Sequence, residues 1–188
     1  MVSPGPDFAL VLKTSLSKGR RSGIFVALGI ATGIVFHVFY SIVGLAVIVS
    51  QSILLFNVIK WAGAAYLIWL GIKALRSKDA GDIELSPQRS TQTSFVSFKQ
   101  GLLTNVLNPK VTLFFLSLFT QIINPNTSSL VKTLYGVELV LITFVWFSIV
   151  AILMTQSPIR AAYQRAKNYI NRAFGVILLA LGVKVAVG

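Results

Sequence analysis

Between Arg21 and Lys60 the chain carries no Asp, Glu, Lys or Arg. A membrane-crossing helix needs about 20 mainly apolar residues, so this run is too long for one crossing. The polar step Val49-Ser50-Gln51-Ser52 divides it. The pattern predicts one helix over 24–49 and another over 53–75, with Lys60 close enough to the surface to lay its stem along the helix and keep its ammonium wet.

The remaining chain repeats the pattern. Apolar runs cover 95–121, 134–155 and 170–187, and the first is interrupted by Asn108-Pro109-Lys110. Polar segments separate them: 76–94, the turn signal Asn124-Pro125-Asn126, and the basic stretch 158–167. Only 12% of the 188 residues are charged and 55% are hydrophobic, against about 25% charged in soluble domains. That leaves too little polar surface to cover a globule in water, so the chain is read as an all-α membrane protein.

The net charge of +12 is distributed by loop. Lys13, Lys18, Arg20 and Arg21 follow the first segment; Lys73, Arg76, Lys78, Arg89 and Lys99 flank the third; Arg160, Arg165 and Lys167 lie in the fifth. The second loop has no basic residue and the fourth has only Lys132. Cytoplasmic loops collect Lys and Arg, so the odd loops are expected inside and the C-terminus outside. Clusters between apolar runs, with no interleaved aromatics, read as membrane topology and not as a nucleic-acid surface. No cleavable signal peptide is expected, because Ser-Pro-Gly-Pro-Asp begins at Ser3.

Enzyme chemistry finds little material. There is no Cys and one histidine, His37. Thiol nucleophiles and histidine metal clusters are excluded, and neither Gly-x-Ser-x-Gly nor His-Glu-x-x-His occurs. No metal or cofactor is expected.

An internal repeat is visible. Ala62, Leu67 and Leu70-Gly71-Ile72-Lys73 match Ala173, Leu178 and Leu181-Gly182-Val183-Lys184 in spacing. Pro6-Asp7 and Pro109-Lys110 give the first and fourth spans a shared feature, a proline followed by an ionisable residue. Three spans per half make the halves run oppositely, as in many transporters. The expected fold is a six-helix bundle from two inverted three-helix repeats, 1–75 and 95–188, joined by a cytoplasmic linker at 76–94. The comparison also predicts that the first helix is truncated at its N-terminus, since only Met1 to Ser3 precede its Pro-Gly-Pro.

Proline within a membrane helix frees carbonyls, which must find partners or line a wet cavity. Two broken helices at matching depth point to a central binding site. The expected substrate and proton pathway is Pro4, Gly5, Pro6, Asp7, Asn105, Asn108, Pro109 and Lys110, with His37, Gln100, Thr104 and Thr112 as further candidates. An ionisable side chain at mid-membrane costs about 2.5–3.5 kcal/mol, so Asp7 and Lys110 are expected to face inward. Two readings stay open: a neutral Asp7 acts as a proton carrier, or an Asp7–Lys110 pair opens to meet a zwitterion. A lone histidine among apolar neighbours reads first as a packing or hydrogen-bonding residue. Gly63, Gly71, Gly175 and Gly182 read as close-contact positions between helices.

These residues resemble a known family. Ser3-Pro4-Gly5-Pro6-Asp7-Phe8, Gly19-Arg20-Arg21-Ser22-Gly23 and Gly29-Ile30-Ala31-Thr32-Gly33 look like the opening of LysE/RhtB-type amino-acid exporters. Gly63-Ala64-Ala65-Tyr66-Leu67 with Leu70-Gly71 looks like their third helix, and Gly101, Asn105 and Asn108-Pro109-Lys110 like their fourth. Phe8 after Asp7 resembles the homoserine, threonine and leucine branch. The resemblance implies an inner-membrane exporter of amino acids or close derivatives, driven by protons, with the bilayer and a small amino acid as its partners. An exporter of metal cations or other small solutes is the alternative, and a membrane enzyme or a non-transporting subunit stands further off. A homo-oligomer stays open.

Overall fold

The computed structural model describes residues 5–76, 93–122 and 127–187. The described residues form helices and no strand: α1 (Pro6–Lys18), α2 (Arg20–Gln51), α3 (Ile53–Arg76), α4 (Ser94–Val106), α5 (Pro109–Ile122), α6 (Ser129–Leu153) and α7 (Ser157–Val187). Among the described residues, four helical stretches are long and apolar enough to cross a bilayer: Arg20–Gly44, Asn57–Arg76, Leu130–Leu153 and Asn168–Val187. The bent pair Ser94–Val106 and Pro109–Leu118, meeting at 57°, is apolar enough when taken together, as a broken crossing or a re-entrant loop. The segment ahead of Gly5, where a truncated first span was expected, lies outside the described residues, as does Pro4.

Local chemistry sets the helix ends. Pro6 sits in the first turn of α1, where no N–H is needed. Gly19 ends α1 with φ +90 and returns its N–H to the Ser15 carbonyl at 3.1 Å. That left-handed step suits glycine and leads straight into α2. Thr93 and Ser128 cap α4 and α6, accepting from Val96 N and Val131 N.

Glycines let the helices approach closely. A Cβ added to Gly29 would strike the backbone of Phe98, and one added to Gly101 would strike the Val26 carbonyl, so α2 and α4 lie backbone to backbone. On α3 and α7, Cβ atoms at Gly71 and Gly175 would each come within 2.8 Å of the other's carbonyl oxygen. Gly182 meets Ala64 and Ile68, a register that makes α3 and α7 antiparallel. Between lipid-solvated helices there is little hydrophobic drive, and such close contact supplies the dispersion that holds them. Phe8, Val11, Val26, Ile30, Phe147 and Val150 form a buried cluster among α1, α2 and α6. Phe39, Leu54, Trp61 and Leu141 are exposed, each by more than half, and the bilayer is the solvent that suits such a surface.

One sequence expectation changes. The basic stretch 158–167, read as a loop, is the first part of α7. Its polarity reports distance from lipid and says nothing against a helix; Ala161, Ala162 and Ala166 favour one. Tyr163 then packs on Phe8, ring centroids 5.3 Å apart. Nearby, Arg20 Nε donates to Thr155 Oγ1 at 2.9 Å, which ties the α1–α2 turn to the α6–α7 turn at the basic end of the bundle.

Candidate functional site

Two helix starts converge inside the bundle. Gly5, in extended conformation, precedes α1 and supplies no side-chain cap. Asp7 therefore enters the first turn, where the helix dipole favours a carboxylate. It is 8% exposed. Its Oδ2 accepts from Asn105 Nδ2 at 2.8 Å and its Oδ1 from Asn108 Nδ2 at 3.3 Å.

Asn108 joins the two helix starts. While its amide nitrogen reaches Asp7, its Oδ1 accepts from the backbone N–H of Lys110 at 3.1 Å. Its own carbonyl accepts from the N–H groups of Val111 and Thr112. It thus caps α5 and holds the start of α1 in one geometry.

The proline break has a specific consequence at Asn105. In a continuous helix the carbonyl of Asn105 would accept from residue 109, but Pro109 has no N–H. The orphaned oxygen accepts instead from Asn108 N at 3.0 Å and lies 3.0 Å from His37 Nε2. A carbonyl only accepts, so Nε2 carries the proton at this contact. His37 Nδ1 meets the Tyr40 hydroxyl at 2.6 Å, and that hydroxyl also bonds Thr112. His37 is 1% exposed and stacks near Phe115, centroids 5.6 Å apart.

A cavity of about 70 Å³ lies against this cluster. That is room for a handful of water molecules. Asp7, Asn105, Asn108 and Lys110 form its polar side, and Phe114, Phe115, Phe147 and Phe174 much of its apolar wall. Ile30 and Ile34 of α2 line it too, about 15–21 Å along the helix from Arg20, near the middle of a hydrocarbon core about 30 Å thick.

The structure thus brings Gly5, Asp7, Asn105, Asn108 and Lys110 to one cavity. Pro6 and Pro109 are exposed beside it and line a neighbouring cavity. His37 and Thr112 stand behind the polar cluster, one on the freed carbonyl and the other on Asn108 O at 3.2 Å. Gln100 is exposed and Thr104 half-buried, and neither lines the two cavities at the cluster. Sequence reasoning did not find Tyr40, Thr143 or the four phenylalanines, because an aromatic in an apolar helix carries no mark of facing a cavity. Gly33 had a signal in its motif without a role: a Cβ there would collide with the Asn105 amide, so this glycine makes the space that the amide fills.

Residues 1–188, the whole chain, match the family described as LysE type translocator. The chain belongs to that family. The translocator is 34% identical to the homoserine/homoserine lactone efflux protein of Salmonella typhimurium, over 98% of this chain and 89% of the relative. It is 30% identical to the threonine efflux protein of Escherichia coli (strain K12), over 100% and 92%, and 32% identical to the uncharacterized membrane protein YrhP of Bacillus subtilis, over 98% and 91%. No solved structure matches. A translocator of this family with several apolar helices is a multi-pass transporter of the bacterial inner membrane and moves a small molecule.

Proposed function

We propose that this translocator exports amino acids or close derivatives of the threonine, homoserine and leucine kind, coupled to protons, by alternating access around the Asp7 cavity. The observation that carries the reading is the Asp7–Asn108 contact, where two proline-started helices meet deep in the bundle. Converging helix N-termini favour a substrate carboxylate, Lys110 adds a cation, and Asp7 faces the ammonium. The relatives named above as threonine and homoserine efflux proteins support this substrate class.

In this scheme the repeats 1–75 and 95–188 are inverted halves of a six-helix plan, linked through 76–94, and they rock about the break. A proton arriving from outside neutralises Asp7, weakens its hold on the amides and favours the inward-facing form. Loading substrate from the cytoplasm and releasing that proton returns the cycle.

The test is Asp7→Asn in vesicles loaded with labelled threonine or homoserine, with an imposed pH gradient. The variant keeps the side chain's shape and loses the titrating group. Gradient-driven efflux is expected to disappear while exchange at equal pH persists. Efflux that still follows the gradient as in the unaltered protein removes Asp7 from coupling.

A further inference from the structure

A second cavity, about 390 Å³, adjoins the first. The two share Gly5, Leu70, Asn108 and Lys110 as walls. The larger one extends toward the basic end of the bundle, for its other walls include Trp69, Lys73 and Ala74, the last of these two residues short of Arg76, and Asn171 near the start of the apolar part of α7. By the distribution of Lys and Arg this is the cytoplasmic side.

Three features make it more than a gap. Lys73 is exposed at the mouth, its ammonium 5.0 Å from the Trp69 ring centroid, so a cation–π contact keeps it there. Lys110 is half-buried where the two cavities meet. Asn171 is 3% exposed, and its Oδ1 finds no hydrogen-bond partner among the described residues. Buried acceptors are nearly always satisfied, and an amide oxygen on a cavity wall is completed by whatever fills that cavity.

We propose that this vestibule is the cytoplasmic loading site, in which an amino acid places its carboxylate between Lys73 and Lys110 and its ammonium on Asn171 Oδ1. The assignment rests on the amino-acid export reading and adds an entry step to it. Two cations, with no Asp or Glu among the described residues that line this cavity, disfavour free cations and select an anionic or zwitterionic ligand. Lys110 belongs to both cavities, so the carboxylate keeps one partner as the substrate passes Asn108 toward Asp7. Lys73 releases it, and Asp7 takes over the ammonium from Asn171.

The experiment uses the full chain in phosphatidylcholine vesicles, which carry no anionic headgroup to compete for the lysines. Transport from the cytoplasmic face is measured against concentration for threonine and for threonine amide, which lacks the carboxylate. Lys73→Gln is expected to raise the half-saturating threonine concentration by about tenfold or more, the loss of one charge-assisted contact. The maximal rate and the behaviour of the amide stay unchanged, and Lys73→Arg restores the threonine value. Asn171→Leu, which fills the same space without the acceptor, is expected to weaken threonine and the amide alike. If unaltered protein transports threonine and both Lys73→Gln and Asn171→Leu load it with unchanged half-saturation, the loading site is overturned and the export reading stands. If the unaltered protein moves no amino acid, both fall together.

Discussion

Asn105 donates its side-chain amide to the Asp7 carboxylate at 2.8 Å across 98 residues of sequence. The same residue's main-chain carbonyl is the one that Pro109 leaves without its helical partner, and His37 meets it at 3.0 Å. One residue thus connects the acid at the start of α1 to the break between α4 and α5. A rearrangement at the break therefore moves a ligand of the acid.

Removing the amide tests that coupling. Asn105→Leu leaves Asp7 with the longer Asn108 contact alone. Hydrogen bonds to charged groups are worth about 1.5–3 kcal/mol, so the variant is expected to melt several degrees lower in detergent. In an Asp7→Asn background the same change should cost about 1 kcal/mol less, since neutral partners bond more weakly. A double-mutant cycle on thermal stability measures the difference; additive effects would show that the contact carries no coupling.

Gly33 is the position where a single methyl group should be costly. Its added Cβ would collide with the Asn105 side chain, whose Cβ and Cγ lie 2.9 Å away. Gly33→Ala is expected to lower transport at least tenfold by displacing the amide from Asp7, with a stability loss of about 1–3 kcal/mol. Gly44, whose added Cβ would meet nothing within 4 Å, serves as the control; Gly44→Ala should transport normally.

His37 is expected to show its role through epistasis. His37→Phe keeps the ring but removes one of two donors at the Asn105 carbonyl, leaving Asn108 N, a loss of about 0.5–1.5 kcal/mol. Pro109→Ala returns an N–H to position 109, the partner of that oxygen in an unbroken helix. The double variant should therefore be more stable than the sum of the singles implies. Strict additivity in melting temperatures would assign His37 to packing against Phe115 alone.

The α2–α4 contact should tolerate no side chain. Gly101→Val would drive its Cβ into the Val26 carbonyl, and backbone cannot swing aside as a side chain can. Loss of folded protein after detergent extraction is expected. Gly63→Ala, which meets the small side chain of Ser117 on α5, is expected to remain extractable with a reduced melting temperature.

Much of this protein was legible before any coordinates. A chain with so few charges can satisfy its backbone in lipid only as helices or a closed barrel, and apolar runs of about 20 residues select helices, so the uncharged run after Arg21, the basic clusters and the polar breaks sufficed for class and approximate spans. Asn108-Pro109 marked a broken helix because proline lacks a donor wherever it stands. Asp7, Asn105 and Lys110 stood out because polar groups are expensive in such surroundings. The tertiary structure decided what each of them faces. No local rule brings Asn105 to Asp7, assigns His37 to the carbonyl freed by Pro109, or turns the basic segment after Ser157 into a helix that packs Tyr163 on Phe8. Those outcomes depend on how closely the glycines let α2 approach α4 and α3 approach α7, a property of paired surfaces that no single stretch of sequence contains.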